Sequence, residues 1–133
     1  METAPRILKR AARVMIVEDD QGVSYAVARW LQELNIKSVV AGSTREALGL
    51  LRDSVFIESA FDALLVDYNL PDSTGVRVIQ RCRDEYPDLP VALMTGSNNL
   101  YMELWLRARN IPLFRKPLDL PELQKWVETC VAR

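Results

Sequence analysis

The chain has 133 residues, 49% of them apolar, and its 17 basic and 18 acidic side chains leave a net charge of -1. This length and apolar content fit one globular domain, and the charge balance gives no reason to expect binding to nucleic acid or to a membrane surface. Because no apolar run approaches the ~20 residues that cross a bilayer and the amino terminus has no signal-peptide pattern, we expect a cytoplasmic protein. The two cysteines have no CxxC spacing, so we expect buried, reduced thiols.

A short basic segment precedes the first predicted strand. Residues 1–13 contain four basic side chains against one acidic side chain. Spaced basic residues at a terminus are usually solvated. We therefore divide the chain into a basic amino-terminal arm, residues 1–13, to which we assign no function, and one folded domain, residues 14–133.

Strands and helices alternate in the first half of the chain. Residues 14–17 are an apolar run that predicts a strand, and apolar side chains within residues 23–34 recur with the spacing of one helix face. A short strand follows at about residues 38–41, and residues 43–46, with the sequence STRE, have the pattern of a capping box at the start of a second helix. We expect residues 53–61 to form a loop or an extended helix end.

The most informative stretch is ALLVDYNLPDSTG, residues 63–75. It begins with four apolar residues without polar alternation, as in a strand that is covered on both faces in a parallel sheet, and this run ends at Asp67. Pro71, Asp72 and Gly75 are residue types that form turns. Asp67 therefore lies at the carboxyl end of a central strand, which is the edge where open α/β sheets bind ligands.

The second half of the chain repeats the alternation. A third helix follows Gly75 and ends before the prolines at 87 and 90. Its predicted inner face consists of Val76, Ile79, Cys82 and Arg83. A fourth strand at residues 91–94 leads into Thr95, a fourth helix spans about residues 99–109, and a fifth strand at about residues 113–115 leads into Lys116. The predicted cap of the last helix consists of Asp119 and Glu122.

Five strands that alternate with five helices over short connections predict an α/β fold. Such an order favours a doubly wound, five-stranded parallel sheet with helices on both faces, in three αβα layers. The carboxyl ends of all five strands then meet at one edge of the sheet. Polar side chains that follow the strands are thereby brought together at that edge.

The residues expected at this edge are Glu18, Asp19, Asp67, Thr95 and Lys116. Each of them alone has a structural explanation, as a cap or as a strand end, but together they form a cluster of carboxylates that needs a cation. Oxygen ligands without histidine or paired cysteine favour Mg²⁺ or Mn²⁺. With a metal and Lys116 to neutralise a phosphoryl group, Asp67 can act as a nucleophile and Thr95 can hydrogen-bond a phosphoryl oxygen. Since the chain contains no histidine, a phosphohistidine donor must belong to a partner.

Four motifs in this order resemble the receiver domain of two-component response regulators: VMIVEDD, LLVDYNLPDSTG, VALMTGS and FRKPLD. The resemblance covers nearly the whole chain from about residue 14 and implies the flavodoxin-like fold of the chemotaxis regulators. It implies that Asp67 is the phosphoacceptor and that Thr95 and Lys116 are the switch hydroxyl and the phosphate-pairing lysine, with a cis peptide before Pro117. A histidine kinase or a histidine phosphotransfer protein would donate the phosphoryl group.

The same resemblance implies where Mg²⁺ would bind. Glu18 and Asp19 would form the acidic pair, and Asp19, Asp67 and the backbone carbonyl of Asn69 would hold the ion. We expect no reaction beyond the phosphorylation and dephosphorylation of the domain itself.

Two positions depart from the family pattern. Leu113 occupies the position three before Lys116 where the family usually has Tyr or Phe in its switch, and neighbouring Phe114 should point to the other face of the sheet. Arg109 and Asn110 replace a common alanine-glycine pair, although Asn110 can still adopt a left-handed conformation. Asn35 can do the same after the first helix.

Two other classes of protein are considered beside the phosphoaccepting receiver. A pseudo-receiver would keep the fold as a phosphorylation-independent interaction module, and Leu113 is the feature that favours it. A hydrolase of the haloacid-dehalogenase kind would place a second aspartate two residues after the nucleophile. That position is Asn69, which cannot transfer a proton in that role.

The fourth predicted helix carries more apolar side chains than one face can bury. Six of the seven residues at positions 100–106 are apolar. If Leu100, Leu104 and Ala108 face the sheet, the stripe formed by Met102 and Leu106 lies at least partly toward solvent; the alternative is a helix buried more deeply between its neighbours. We expect Tyr101 or Trp105 to be partly exposed and to contribute to partner docking or to self-association. By the family resemblance, a homodimer would form through the fourth helix, fifth strand and fifth helix.

Overall fold

Five β-strands alternate with five α-helices in the described part of the computed structural model, residues 11–54 and 60–132. In chain order the elements are β1 Arg13–Val17, α1 Gln21–Glu33, β2 Lys37–Ala41, α2 Thr44–Arg52, β3 Ala63–Asp67, α3 Gly75–Glu85, β4 Val91–Thr95, α4 Leu100–Ala108, β5 Leu113–Arg115 and α5 Leu120–Val131. Most of the predicted basic arm and the predicted loop residues Phe56 and Ile57 lie outside the described residues. Arg13, placed in the arm by the sequence, is the first residue of β1.

The strands form one sheet in the order β2-β1-β3-β4-β5, and every neighbouring pair is parallel. One apolar cluster joins the sheet to α2, α3 and α4, and a second joins its opposite face to α1 and α5. The predicted doubly wound parallel sheet and its three layers are therefore confirmed. Since β3 lies at the centre of the sheet, its carboxyl end is flanked by the ends of β1 and β4.

The central strands are buried on both faces. Every residue of β3 and of β4 is buried, as the unbroken apolar runs predict. Successive side chains of β3 point to opposite faces, so Leu64 joins the cluster beneath α2, α3 and α4, whereas Leu65 joins the cluster beneath α1 and α5. Phe114 of β5 lies on the second of these faces and Leu113 on the first, as predicted.

The capping predicted for α2 is found in part, because Glu46 bonds the N-H of the residue before the N-cap Ser43 and not that of Ser43 itself. The Ser43 hydroxyl accepts a hydrogen bond from the Glu46 N-H at 3.1 Å, and the Glu46 carboxylate accepts one from the Gly42 N-H at 2.6 Å. Asn35 and Asn110 both adopt the predicted left-handed conformation, with φ of 62° and 57°. The short-range signals at helix ends were therefore sufficient to predict these turns.

Two helix faces differ from those predicted. In α3 the buried set includes Val78 together with Ile79 and Cys82, whereas Arg83 is exposed and donates a hydrogen bond to the Arg109 carbonyl. The prediction for α4 is wrong in its rotation. Met102 and Leu106 are buried, while the exposed residues of this helix include Leu100, Leu104 and Ala108. Adjacent stripes of α4 are similarly apolar, so periodicity alone could not choose which stripe faces the sheet.

Both cysteines are buried, as predicted. Burial raises the pKa of Cys82 to about 12, so this thiol stays protonated at neutral pH. Within the described residues, no helix has the length and apolar character needed to cross a bilayer.

Candidate functional site

Three carboxylates meet at the carboxyl edge of the sheet. Glu18 and Asp19 follow β1, and Asp67 is the last residue of the neighbouring β3. One carboxylate oxygen from each of the three lies within 4.8 Å of the others. Glu18 and Asp67 are only 2% and 5% exposed, whereas Asp19 is exposed. The cluster therefore combines two buried acids with one acid that is open to solvent.

Lys116 supplies the positive charge in this cluster. It follows β5, and its Nζ donates a hydrogen bond to Glu18 Oε1 at 2.7 Å and forms an ion pair with Asp67 Oδ1 at 3.0 Å. The bond between Lys116 and Pro117 is cis, as the family resemblance implies. The lysine thus joins acids from β1 and β3 although it lies two strands away from β3 in the sheet.

The pKa shifts follow from this burial and pairing. Burial raises the pKa of Glu18 above its usual value, although hydrogen bonds from Lys116 and from the Asp20 N-H act in the opposite direction. Burial by itself lowers the pKa of Lys116, but its hydrogen bonds to Glu18 and Asp67 outweigh that effect and raise it. Because two carboxylates contact the ammonium at hydrogen-bond distance, Lys116 is charged. Burial is what opposes the ionisation of Glu18.

Thr95 ends β4, the strand beside β3. The register pairs Asp67 with Met94, so Thr95 is one residue further toward the edge of the sheet. The residue is fully buried, and its Oγ1 accepts a hydrogen bond from the Ser97 N-H at 2.9 Å. A hydroxyl is therefore placed one strand away from the Asp67 carboxylate.

The loop after Asp67 is closed by backbone contacts. Asn69, whose carbonyl is a predicted metal ligand, is exposed and forms an isolated bridge with Thr74. The Gly75 N-H donates to the Tyr68 carbonyl at 2.8 Å. A Cβ atom on Gly75 would lie 2.3 Å from the Asp67 carbonyl oxygen, so this position needs glycine because of close approach. Its backbone angles do not require glycine, since the described glycines have no positive φ.

Asp72 has a role that the sequence pattern did not reveal. Its residue type predicts a local turn, but its carboxylate accepts hydrogen bonds from the Thr44 and Arg45 N-H groups, at 2.9 and 3.0 Å. These bonds lower the pKa of Asp72. The N-cap of the following helix is instead Thr74, which makes no side-chain capping bond. Asp72 therefore ties the loop after Asp67 to the start of α2.

The family model of the response regulator receiver domain matches residues 14–128. The chain therefore belongs to the receiver domain family of response regulators, a class that acts in two-component signal transduction. This agrees with the resemblance carried by the four motifs. Receiver domains interact with histidine kinases or phosphotransfer proteins and bind Mg²⁺ at an acidic pocket.

Curated relatives include the response regulator protein PilR of Pseudomonas aeruginosa, which is 28% identical over 120 residues, 90% of this chain and 26% of that protein. The regulatory protein LuxO of Vibrio vulnificus is 29% identical over 120 residues, 89% of this chain and 25% of that protein. The chain thus spans about a quarter of the length of these relatives.

Solved structures support the fold. The non-phosphorylated HemR receiver domain from Leptospira biflexa matches with a TM-score of 0.77 and 23% identity, covering 92% of this chain and 95% of that chain. A response regulator receiver domain protein from Clostridium thermocellum matches with a TM-score of 0.82 and 17% identity over the same shares of the two chains. The flavodoxin-like arrangement is therefore shared with known receivers.

Proposed function

We propose that this chain is a phosphoaccepting receiver that takes a phosphoryl group from a partner's phosphohistidine onto Asp67 and then changes its binding surface. The observation that carries the proposal is the contact of one ammonium, Lys116, with both Glu18 and Asp67 inside the acidic cluster. A lysine with only a structural role at the surface would not require two buried carboxylates beside it. The donor would be a histidine kinase or a histidine phosphotransfer protein.

The transfer can be written with the residues of this edge. An oxygen of the Asp67 carboxylate attacks the phosphorus, the P–O bond forms as the P–N bond breaks, and the electron pair of that bond stays on the donor imidazole. The Lys116 ammonium, already 3.0 Å from Asp67 Oδ1, pairs with the added negative charge. The Thr95 hydroxyl donates a hydrogen bond to a phosphoryl oxygen. Since the chain has no histidine, it cannot supply the donor group itself.

The acidic cluster fits a hard divalent cation. It offers only carboxylate oxygens, two of them from acids that are almost fully buried and would repel each other without added positive charge. Asp19, Asp67 and the Asn69 carbonyl would hold Mg²⁺ or Mn²⁺, with Glu18 as the other member of the acidic pair. When bound, the ion supplies charge neutralisation for the phosphoryl oxygens.

The hydrolase alternative lacks a proton-transfer group. Asn69 stands two residues after the proposed nucleophile, and its amide is neither a useful acid nor a base. Besides its own phosphorylation and dephosphorylation, we therefore propose no enzymatic reaction for this chain.

The proposal is tested by incubating the protein with acetyl phosphate and Mg²⁺ and measuring its intact mass. We expect the wild type to gain one phosphoryl group, and Asp67→Asn to gain none because the nucleophilic carboxylate is gone. Asp62→Asn, which changes an aspartate just before β3, is the matched control and should still be phosphorylated. No mass gain in the wild type would favour the pseudo-receiver, and equal gain in Asp67→Asn would place the phosphoacceptor elsewhere.

A further inference from the structure

Arg115, the last residue of β5, joins three segments near the proposed phosphorylation site. Its Nη1 donates a hydrogen bond to the Ser97 carbonyl oxygen at 2.8 Å, in the loop between β4 and α4. Its Nη2 donates to Glu103 Oε2 at 2.5 Å, in the first turn of α4. The planar guanidinium suits this double contact because its donors point in fixed, different directions. The loop, the helix and β5 are thus held together by one side chain.

Both the backbone N-H and the backbone carbonyl of Ser97 form hydrogen bonds. Its N-H donates to Thr95 Oγ1 at 2.9 Å, and its carbonyl accepts from Arg115. A continuous series of hydrogen bonds therefore runs from the Thr95 hydroxyl through Ser97 and Arg115 to the carboxylate of Glu103. The Thr95 and Arg115 backbones are paired across the two strands, and the Lys116 N-H donates to the Thr95 carbonyl at 2.8 Å. Arg115 thus adjoins both residues expected to contact a phosphoryl group, since it is paired with Thr95 across the strands and precedes Lys116 in the chain.

Leu113 makes an apolar contact on the side of the sheet that faces α4, in contrast to the polar contact of Arg115. Leu113 packs against the apolar cluster that contains Met102 and Leu106, and a leucine offers no hydroxyl or other polar group. Polar contact between β5 and α4 is made instead by the ion pair of Arg115 and Glu103, whose side chains are 44% and 28% exposed. Because the guanidinium also contacts the loop, a movement of the loop would change its contact with α4.

We infer that Arg115 is a positioning residue that holds the β4–α4 loop and α4 in the unphosphorylated arrangement and is released when Asp67 is phosphorylated. The inference rests on the proposed function. A Thr95 hydroxyl that moves toward a phosphoryl group draws away from the Ser97 N-H and displaces the Ser97 carbonyl from Arg115. The displacement then reaches α4 through Glu103.

This role has a consequence for affinity. A contact present only in the resting arrangement lowers the population of the competent arrangement, and apparent affinity falls by the same factor. Removing Arg115 should therefore strengthen binding of a phosphoryl mimic, even where it weakens the fold. A residue that served stability alone would not strengthen it.

The test is a titration with beryllofluoride in the presence of Mg²⁺, followed by the amide NMR signals of the loop and of α4. Relative to wild type, we expect Arg115→Met to bind about three- to tenfold more tightly, which corresponds to the loss of one exposed charge-assisted contact and one hydrogen bond. Arg115→Lys keeps the positive charge but lacks the planar guanidinium with its two separate donors, so its affinity for beryllofluoride should be intermediate. Arg52→Met, at the end of α2 away from the site, controls for the loss of one cation and should match wild type.

Hydrogen exchange of the Ser97 amide without beryllofluoride provides a second readout. We expect exchange about three- to tenfold faster in Arg115→Met than in wild type or Arg52→Met, because the loop has lost one of its two supports. Equal or weaker beryllofluoride binding by Arg115→Met would overturn the inference, and so would an unchanged Ser97 exchange rate. A wild-type protein that binds no beryllofluoride would contradict the proposed function itself and remove the basis of the inference, so the two failures are distinguishable.

Discussion

Buried charge dominates the site at the scale of single residues. Glu18 is 2% exposed, and the acidic groups near it include Asp67 and Asp19, while Lys116 provides a positive charge. Burial favours the neutral form of a carboxyl group, which explains the raised pKa of Glu18, and Lys116 offsets only part of that effect. The resting site therefore holds unfavourable electrostatic energy that a divalent cation would relieve.

The metal assignment can be tested at Asp19, the exposed member of the cluster. Asp19→Ala should weaken Mg²⁺ binding by at least about tenfold and slow phosphorylation, because a carboxylate ligand is lost. Its free energy of unfolding without metal should stay unchanged or rise, since repulsion within the cluster decreases. Mg²⁺ titration and urea unfolding measure the two effects.

Asp88→Ala is the control for this measurement. Asp88 is exposed and lies before β4, at the edge of the sheet opposite to the site. Its replacement should leave Mg²⁺ affinity as in wild type. An unchanged Mg²⁺ affinity in Asp19→Ala would show that Asp19 is not a ligand.

At the scale of elements, the loop after β3 and the start of α2 depend on each other. The first N-H groups of a helix have no partner within the helix, and the Asp72 carboxylate accepts hydrogen bonds from two of them, those of Thr44 and Arg45. A negative charge at this end also interacts favourably with the helix dipole. The loop that would carry the Asn69 metal ligand is thereby anchored to a helix that is distant in sequence.

This contact makes stability depend on pH in a defined direction. Because folding lowers the pKa of Asp72 from its usual value of 3.8, its contribution is present above about pH 3.8 and is lost as pH falls through the lower, folded pKa. Asp72→Asn should therefore unfold at lower urea concentration than wild type at pH 7. The difference between the two proteins should shrink as the pH falls below 3.8 toward the lower pKa of Asp72 in the folded protein.

Urea unfolding of both proteins at pH 7 and at pH 3 measures this effect. Asp84→Asn, which changes an exposed acid on α3, is the control and should follow wild type at both pH values. A stability difference for Asp72→Asn that is the same at both pH values would mean that the charge of Asp72 plays no part.

At the scale of the whole molecule, α4 carries the largest group of exposed apolar side chains among the described residues. Leu100, Tyr101 and Leu104 are 68%, 86% and 49% exposed. The exposure predicted for Tyr101 is confirmed, while Trp105 is half-buried with the Arg109 guanidinium 4.2 Å from its ring centre. Contiguous apolar exposure of this kind is typical of a protein interface.

We expect this surface to support a homodimer when Asp67 carries a phosphoryl mimic. Sedimentation velocity with beryllofluoride should show dimers of the wild type, and Tyr101→Ser should dimerise about tenfold more weakly, because an aromatic anchor is removed from the interface. Tyr25→Ser is a matched control, since Tyr25 is 66% exposed on α1, away from α4. Wild-type protein that remains monomeric at all concentrations, or equal dimerisation of the two variants, would contradict this assignment.

The sequence by itself determined the elements and the edge at which the site forms. Apolar runs, caps and left-handed asparagines depend on neighbours within a few residues, and these signals predicted the strands, the N-cap at Ser43 and the turn at Asn35. The position of Glu18, Asp67 and Lys116 at one edge followed from topology, because parallel strands place all their carboxyl ends on the same side. Predicting this shared edge did not require knowledge of the individual contacts between Lys116 and the two acids.

Only the tertiary structure decided which long-range partners these residues have. Asp72 caps a helix whose first residue is 28 positions away, and Arg115 reaches Ser97 across 18 positions and Glu103 across 12. The rotation of α4 likewise depended on packing, since its apolar stripes are alike in sequence. Polar side chains satisfy whichever donors and acceptors the packed sheet places within about 3 Å, and that geometry is a property of the assembled elements rather than of any local pattern.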